Sequence, residues 1–415
     1  MKVCVITFQF PPEVRGGVGT AIDRITRNLA AWGIDIHVVA PGPHGSEDSF
    51  SSLVENGVTV HHTCPGLGNH FGDPTQLRNI ADYVARLHER EKFDLFHGVF
   101  VFPAGHLATL LSKDMGVPSV VSIRGSDIEL HRYHWGLFGA VKWTLGNASF
   151  VTSVAGTLLN KASAFAQIGK KKVIKNAFDP DLFSNQDIEE LVKTRCGLRG
   201  QIFVKKLKNE KAKGKLLVGT SGIIRPGKGF SVLLDAFEDF YRQYPESHLL
   251  LIGDFADSEL KKTWLQQFKK RKMIRHISIT GRVPHSEVLA WMRQVDVFVL
   301  PSLYEGSPNA ILEAMACQRP IISSAVDGVL DIIEDGQDGM LFPSQRSDIL
   351  CEKLMLMADD HNLRKRLGMA AEHKIREQFS PEKETKIWRE IYKQVIDEYK
   401  PESQNPNTIR RKKRE

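Results

Sequence analysis

Short runs of Val, Ile and Leu alternate along this 415-residue chain with longer stretches of helical period. The pattern predicts parallel strands joined by crossover helices. Val3–Phe8 is expected to form a strand, Thr20–Trp32 a helix and Ile36–Ala40 a second strand. Leu95–His97 and Ser119–Ile123 continue that sheet around a crossover helix at Ala104–Met115, and Phe150–Val154 and Lys172–Ile174 read as its last strands. A second series follows at Leu216–Thr220, His248–Ile252, His276–Thr280, Val297–Leu300, Ile321–Ser323 and Met340–Phe342.

Between the two series, 185–215 is rich in Lys and Glu and is expected to be a charged hinge. The expected layout is an N-terminal, acceptor-side domain at 1–184 and a C-terminal, nucleotide-sugar-binding domain at 216–380. At Pro381–Tyr399 the spacing of Ile387, Trp388, Ile391, Val395 and Ile396 gives an amphipathic closing helix that would join the first domain. Residues 400–415 are polar, basic and without period, and are expected to be disordered. The fold class is α/β, two Rossmann-like, doubly wound parallel-sheet domains facing across a cleft. Ligand would bind in that cleft, since open α/β sheets bind outside the carboxyl ends of their strands.

Composition narrows the partners. Net charge is +7, of which the last fifteen residues supply +3, so the body is only mildly basic. That is too little to argue for nucleic acid, and no basic stripe with interleaved aromatics is apparent. It does suit phosphorylated or lipid-surface substrates. The five cysteines (Cys4, Cys64, Cys196, Cys317, Cys351) are scattered, as reduced thiols of a cytoplasmic protein would be. The apolar run after Met1 is too short for a signal peptide, and no run of about 18 apolar residues exists to span a bilayer. A membrane contact would be peripheral, at its inner face.

The segment richest in chemistry is Pro301-Ser-Leu-Tyr-Glu305-Gly306-Ser307-Pro308-Asn309-Ala310-Ile-Leu-Glu313. It follows an apolar strand and opens a helix, with Pro308 and Asn309 where a cap or first turn belongs. First-turn amides and the helix's positive end make an anion site of the kind that holds phosphate. Glu305 and Glu313 bracket it, placed to accept hydrogen bonds from sugar hydroxyls; an ordinary strand-loop-helix with surface glutamates is the alternative. Gly222-Ile-Ile-Arg225-Pro-Gly-Lys228, at the mouth of another strand, offers two cations for a diphosphate, or is simply a basic turn.

The Glu305–Glu313 spacing resembles the E-x7-E signature of the retaining family 4 glycosyltransferases, and the following Ala-Met-Ala-Cys-Gln-Arg-Pro-Ile-Ile is similar to their helix-to-strand continuation. The resemblance implies the GT-B fold, with Glu305 on the transferred sugar and Glu313 on the donor ribose. Lys228 is in register with the family's Lys, while Ile223 stands at the family's Arg position and Arg225 falls two residues later. The implied catalytic residues are thus Arg225, Lys228 and Glu305. The implied donor contacts are Gly16 and Gly17 of the N-terminal Gly-rich turn, Arg282 beside the nucleotide base, and Ser307, Pro308, Asn309, Ala310 and Glu313. On the residues alone, the Gly16-Gly17 stretch is equally a plain tight turn.

Arg124 stands where many members have His. It would read an anionic sugar, a phosphate or an acceptor carboxylate, or else pair with Asp127 as a structural ion pair. Asp179-Pro-Asp181 is formally a D-x-D, but its place at the domain junction favours a turn over a metal site. The expected activity is a retaining, metal-independent hexosyl transfer from a UDP- or GDP-linked sugar to a hydroxyl of a glycan, lipid-linked or small-molecule acceptor, with no cofactor. A sugar-nucleotide epimerase of similar fold and a non-catalytic basic carbohydrate- or nucleic-acid-binding protein are the alternatives.

Overall fold

The computed structural model describes residues 1–11, 17–41, 51–63, 74–179 and 216–400. By its contacts the chain divides into two units, Met1–Ala177 with Pro381–Glu415, and Phe178–Ser380. The expected hinge at 185–215, the tail after Lys400, Gly16 and Asp181 lie outside the described residues.

The first unit holds strands β1 (Lys2–Ile6), β2 (Asp35–Pro41), β3 (Ser51–Glu55), β4 (Val58–Thr63), β5 (Leu95–Val99), β6 (Ser119–Ile123), β7 (Phe150–Ser153) and β8 (Lys171–Val173). They form one sheet in the order β3-β4-β2-β1-β5-β6-β7-β8, parallel except for β3 against β4. Its helices are α1 (Gly17–Ala31), α2 (Pro74–Glu91), α3 (His106–Met115), α4 (Ser126–Glu129), α5 (Trp135–Asn147) and α6 (Gly156–Ser163). Alternation within β1 sends Val3 and Val5 toward Ile22, Ile25 and Leu29 of α1, and Cys4 and Ile6 toward Val84 of α2 and Leu107 of α3. A sheet buried on both faces in this way reads as continuous hydrophobic runs, which is why its central strands are visible in the sequence. The β3–β4 hairpin was not among the predicted strands. Asn56 and Gly57 turn it with positive φ at both residues, the backbone that a two-residue Asn-Gly hairpin turn requires.

The second unit holds β9 (Leu216–Ser221), β10 (Ser247–Ile252), β11 (Ile277–Ile279), β12 (Val297–Leu300), β13 (Ile321–Ser324) and β14 (Met340–Phe342). All pairs are parallel, in the order β11-β10-β9-β12-β13-β14. Helices α7 (Phe230–Gln243), α8 (Ser258–Lys270), α9 (His285–Met292), α10 (Asn309–Ala316), α11 (Asp327–Leu330), α12 (Ser347–Asp359) and α13 (His361–Gln378) cover both faces. The chain runs outward from β9 to β11 and returns at β12, so the winding reverses between β9 and β12. Doubly wound sheets bind ligands at the carboxyl ends of strands at such a reversal.

The closing helix α14 (Pro381–Glu398) belongs to the first unit. Trp388, Ile391, Tyr392 and Val395 lie buried against β1, β5 and β6. The Tyr392 hydroxyl lies 2.7 Å from His97 Nδ1, whose Nε2 is 2.7 Å from Ser122 Oγ, itself 2.8 Å from Thr152 Oγ1. Burial pushes the His97 imidazole down to about 3, so it stays neutral within this chain of hydrogen bonds. Cys4, Cys317 and Cys351 are free and buried. Among the described residues no helix is long and apolar enough to cross a membrane.

Candidate active site

A recess of about 350 Å³ opens at the carboxyl ends of β9 and β12, lined by Thr220, Gly222, Ile223, Lys228 and Ser302 among others. Two loops shape it. The first leaves β9 through Gly222, whose φ of +120° ends the strand's pleat. Ile224 then pairs with the loop after β10, its amide donating to the Asp254 carbonyl and its carbonyl accepting from Ala256. A turn follows in which the Lys228 amide donates to the Arg225 carbonyl at 3.1 Å.

The second loop leaves β12 and is clamped to the first. The Leu303 amide donates to the Gly227 carbonyl at 2.8 Å, and a Cβ on Gly229 would lie 1.8 Å from the Pro301 carbonyl oxygen. This backbone contact brings Lys228 onto Glu305, Nζ to Oε1 at 2.6 Å, with Ser302 Oγ donating to the same oxygen at 2.6 Å. Glu305 is nearly buried, whereas the Lys228 side chain keeps about a third of its surface. One carboxylate oxygen is therefore held, and Oε2 remains to accept from a ligand hydroxyl.

Beyond Glu305, Pro308 occupies the cap of α10 and the helix begins at Asn309. Ile311, Leu312, Ala314 and Met315 bury one side of this helix, and its positive end is directed at the loop. Glu313 is not the surface glutamate of the alternative reading. It is 6% exposed, and burial pushes its carboxyl up to about 7. His285, at the start of α9, places Nδ1 3.7 Å from Glu313 Oε1, and burial lowers that imidazole below its ordinary range. Arg282 and the adjoining Gly281 (φ +77°) follow β11, with Arg282 exposed.

The structure brings Lys228, Glu305, Ser307, Pro308, Asn309, Ala310 and Glu313 into one stretch of the second unit. Arg225 stands two residues from the family position. That side chain is exposed on the same turn as Lys228, and Ile223, at the family's Arg position, lines the recess. Gly17 opens α1 in the first unit. Arg124 and Asp127 lie together in the first unit, but not as an ion pair. The buried Asp127 carboxylate accepts from the amides of Val101, Arg124 and Gly125, while the Arg124 guanidinium donates through Nη1 to Asn176 Oδ1 at 3.0 Å. Arg124 is 6% exposed, its buried Nε and Nη2 have no hydrogen-bond partner among the described residues, and burial pushes it down to about 10. Nε and Nη2 form the side-on fork that fits an oxyanion.

Residues 202–374 match the family model described as glycosyl transferases group 1, and residues 16–172 match the glycosyl transferase 4-like domain. The chain is a glycosyltransferase of this family. Its recess, with Lys228, Glu305 and Glu313, lies within the group 1 match. An uncharacterized glycosyltransferase of Methanocaldococcus jannaschii is 26% identical over 96% of this chain and 99% of its own. Sucrose-phosphate synthase from Thermosynechococcus elongatus superposes with a TM-score of 0.78 at 16% identity, over 95% of this chain and 99% of its own. Anabaena HepE in complex with UDP and glucose gives 0.75 at 20% identity, over 95% and 100%. The fold of this glycosyltransferase is GT-B.

Three partners of the site are not apparent in the sequence. Ser302 holds Glu305, His285 faces Glu313, and Gly328 admits the second loop. The Gly328 amide donates to the Glu305 carbonyl at 3.2 Å, and a Cβ there would sit 1.7 Å from the Gly306 carbonyl oxygen. Gly328→Ala in this glycosyltransferase is expected to lower Tm by several degrees in differential scanning fluorimetry, because overpacking costs roughly 1–3 kcal/mol. An unchanged Tm would mean that the loop yields freely.

Proposed function

We propose that this glycosyltransferase moves a sugar from a UDP- or GDP-linked donor to a hydroxyl of a glycan, lipid-linked or small-molecule acceptor, retaining the anomeric configuration. The Lys228–Glu305 pair beside the start of α10, at the sheet's reversal point, is the observation that carries this reading. The donor's diphosphate lies against the first-turn amides of α10, with Ser307, Pro308, Asn309 and Ala310 around it. Glu313 accepts from the ribose hydroxyls. As the bond from the anomeric carbon to the phosphate oxygen breaks, its electron pair goes to the diphosphate, and Lys228 and the helix end stabilise that charge. The acceptor oxygen bonds to the anomeric carbon on the same face, and the departing phosphate takes its proton. Glu305 positions the sugar through its hydroxyls.

With a cation and a helix end supplying positive charge, no metal or cofactor is assigned a step, and the enzyme works in the cytoplasm. HepE, bound to UDP and glucose on the same fold, supports a uridine donor. Arg124's side-on fork supports an anionic group on the acceptor or sugar, with Arg282 and the Gly16-Gly17 turn as further donor contacts.

A thermal-shift screen against UDP-, GDP- and ADP-sugars tests the donor. Ligand at about 100 times Kd stabilises by about 2.7 kcal/mol, a rise of several degrees. Proton NMR of the anomeric signal then reports retention or inversion. Donor consumption with no acceptor, yielding an isomerised nucleotide sugar, would replace transfer by epimerisation.

A further inference from the structure

Helix α5 presents the wrong kind of residue to solvent. Val141, Thr144 and Leu145 are buried, so Trp135, Phe138, Gly139, Lys142, Trp143 and Gly146 share the opposite, outer face. Trp135 is 92% exposed and Tyr133, in the preceding turn, 73%. Leu130, Phe138 and Trp143 extend the patch. The outer face of a surface helix in a water-soluble protein is ordinarily polar, and large exposed apolar patches mark interaction sites.

Charge says what covers it. Leu130–Phe178 contains seven Lys and Arg and no Asp or Glu. Glu129, the acid just before the patch, is taken by Lys161 at 2.8 Å. Arg132 lies 4.5 Å over the Tyr133 ring and Lys142 stands on the outer face itself. Tryptophan and tyrosine beside lysine and arginine match the headgroup zone of an anionic bilayer. A second copy of this chain fits worse, because a two-fold contact would bring cations onto cations.

We propose that the outer face of α5, with Leu130 and Tyr133, docks this glycosyltransferase on an anionic lipid surface, the aromatic rings seating at headgroup depth and Arg132 and Lys142 contacting lipid phosphates. The docking does not rest on the reading of the reaction. It puts the enzyme at the surface where a lipid-linked acceptor would reside.

Vesicle co-sedimentation of the full chain tests it, with phosphatidylcholine alone and mixed with phosphatidylglycerol. The wild type is expected to partition about tenfold more strongly onto the anionic vesicles, and to lose most of that at high salt. Trp135→Ser with Tyr133→Ser should lower partitioning about tenfold at unchanged Tm, both side chains being exposed. Arg132→Glu with Lys142→Glu should abolish the preference for anionic lipid. Vesicles should also blue-shift tryptophan emission, and Trp135→Phe should remove most of that shift. Binding that survives in the Trp135/Tyr133 variant would assign it to other basic segments and overturn the proposal. So would a self-association or an oligonucleotide affinity that these substitutions abolish while vesicle binding is absent.

Discussion

Lys228→Ala is expected to lower kcat about 10²–10³-fold with a smaller change in the KM for donor, measured by release of the nucleoside diphosphate. In the proposed reaction the lysine of the recess stabilises the further negative charge that develops on the diphosphate as it departs. It also holds Glu305, so the two residues should behave as a unit. Glu305→Gln keeps a hydrogen-bond acceptor on the loop but gives up the charge that orders Lys228. The double variant should therefore lose little more than the worse single one. Wild-type turnover in Lys228→Ala would remove the recess from the reaction. Full additivity would separate the two roles.

The second large effect concerns Glu313, and its sign follows from burial. The folded carboxyl titrates near 7 and the unfolded one near 4.5. Between those values the folded state binds more protons. The associated stability is present below about 4.5 and is lost as pH rises through about 7, a change of about 3 kcal/mol. Ligand-free Glu313→Gln should therefore escape this loss and gain Tm over the wild type at pH 8, with little difference at pH 5. Nucleotide binding should move the other way. Ribose hydroxyls donate best to the carboxylate, so wild-type affinity should climb toward pH 7. The Gln variant should bind about 10–100-fold more weakly at pH 8, with a flatter profile. Calorimetric titration of UDP and GDP at several pH values reads both, and an unchanged slope in the variant would dissociate Glu313 from the ribose.

Much of this glycosyltransferase was legible in its sequence, and the exceptions have physical causes. Parallel strands buried on both faces announce themselves as apolar runs, so β1, β9 and β12 were plain. In β3 the apolar Leu53 and Val54 are exposed, and the Asn56-Gly57 turn was the signal passed over. Glu305, Glu313 and Lys228 sit on local patterns that survive folding. Ser302 and Gly328 reach Glu305 by loops from different strands, which no spacing along the chain reveals. Arg225 falls two residues after the family's Arg position, a shift that would keep its face only if the pleat of β9 continued. Gly222 and the pairing of Ile224 with the loop after β10 end that alternation, so Ile223 and Arg225 are both exposed and a two-residue shift no longer keeps one face. Arg124 beside Asp127 suggested an ion pair, yet the nearby amides satisfy the carboxylate and Asn176, fifty-two residues on, takes the guanidinium.

Helix α14 imposes an order of events during synthesis. The first unit's sheet is complete by β8, but Trp388 and Tyr392, which cover it and close the His97 hydrogen-bond chain, are made only after Phe178–Ser380. At about 5–20 residues per second that interval is about 10–40 s. Throughout it, the apolar surface around Val120, Phe150 and Ile174 waits uncovered on the ribosome. The half of the protein translated first is thus finished last, and the second unit can complete its own core beforehand.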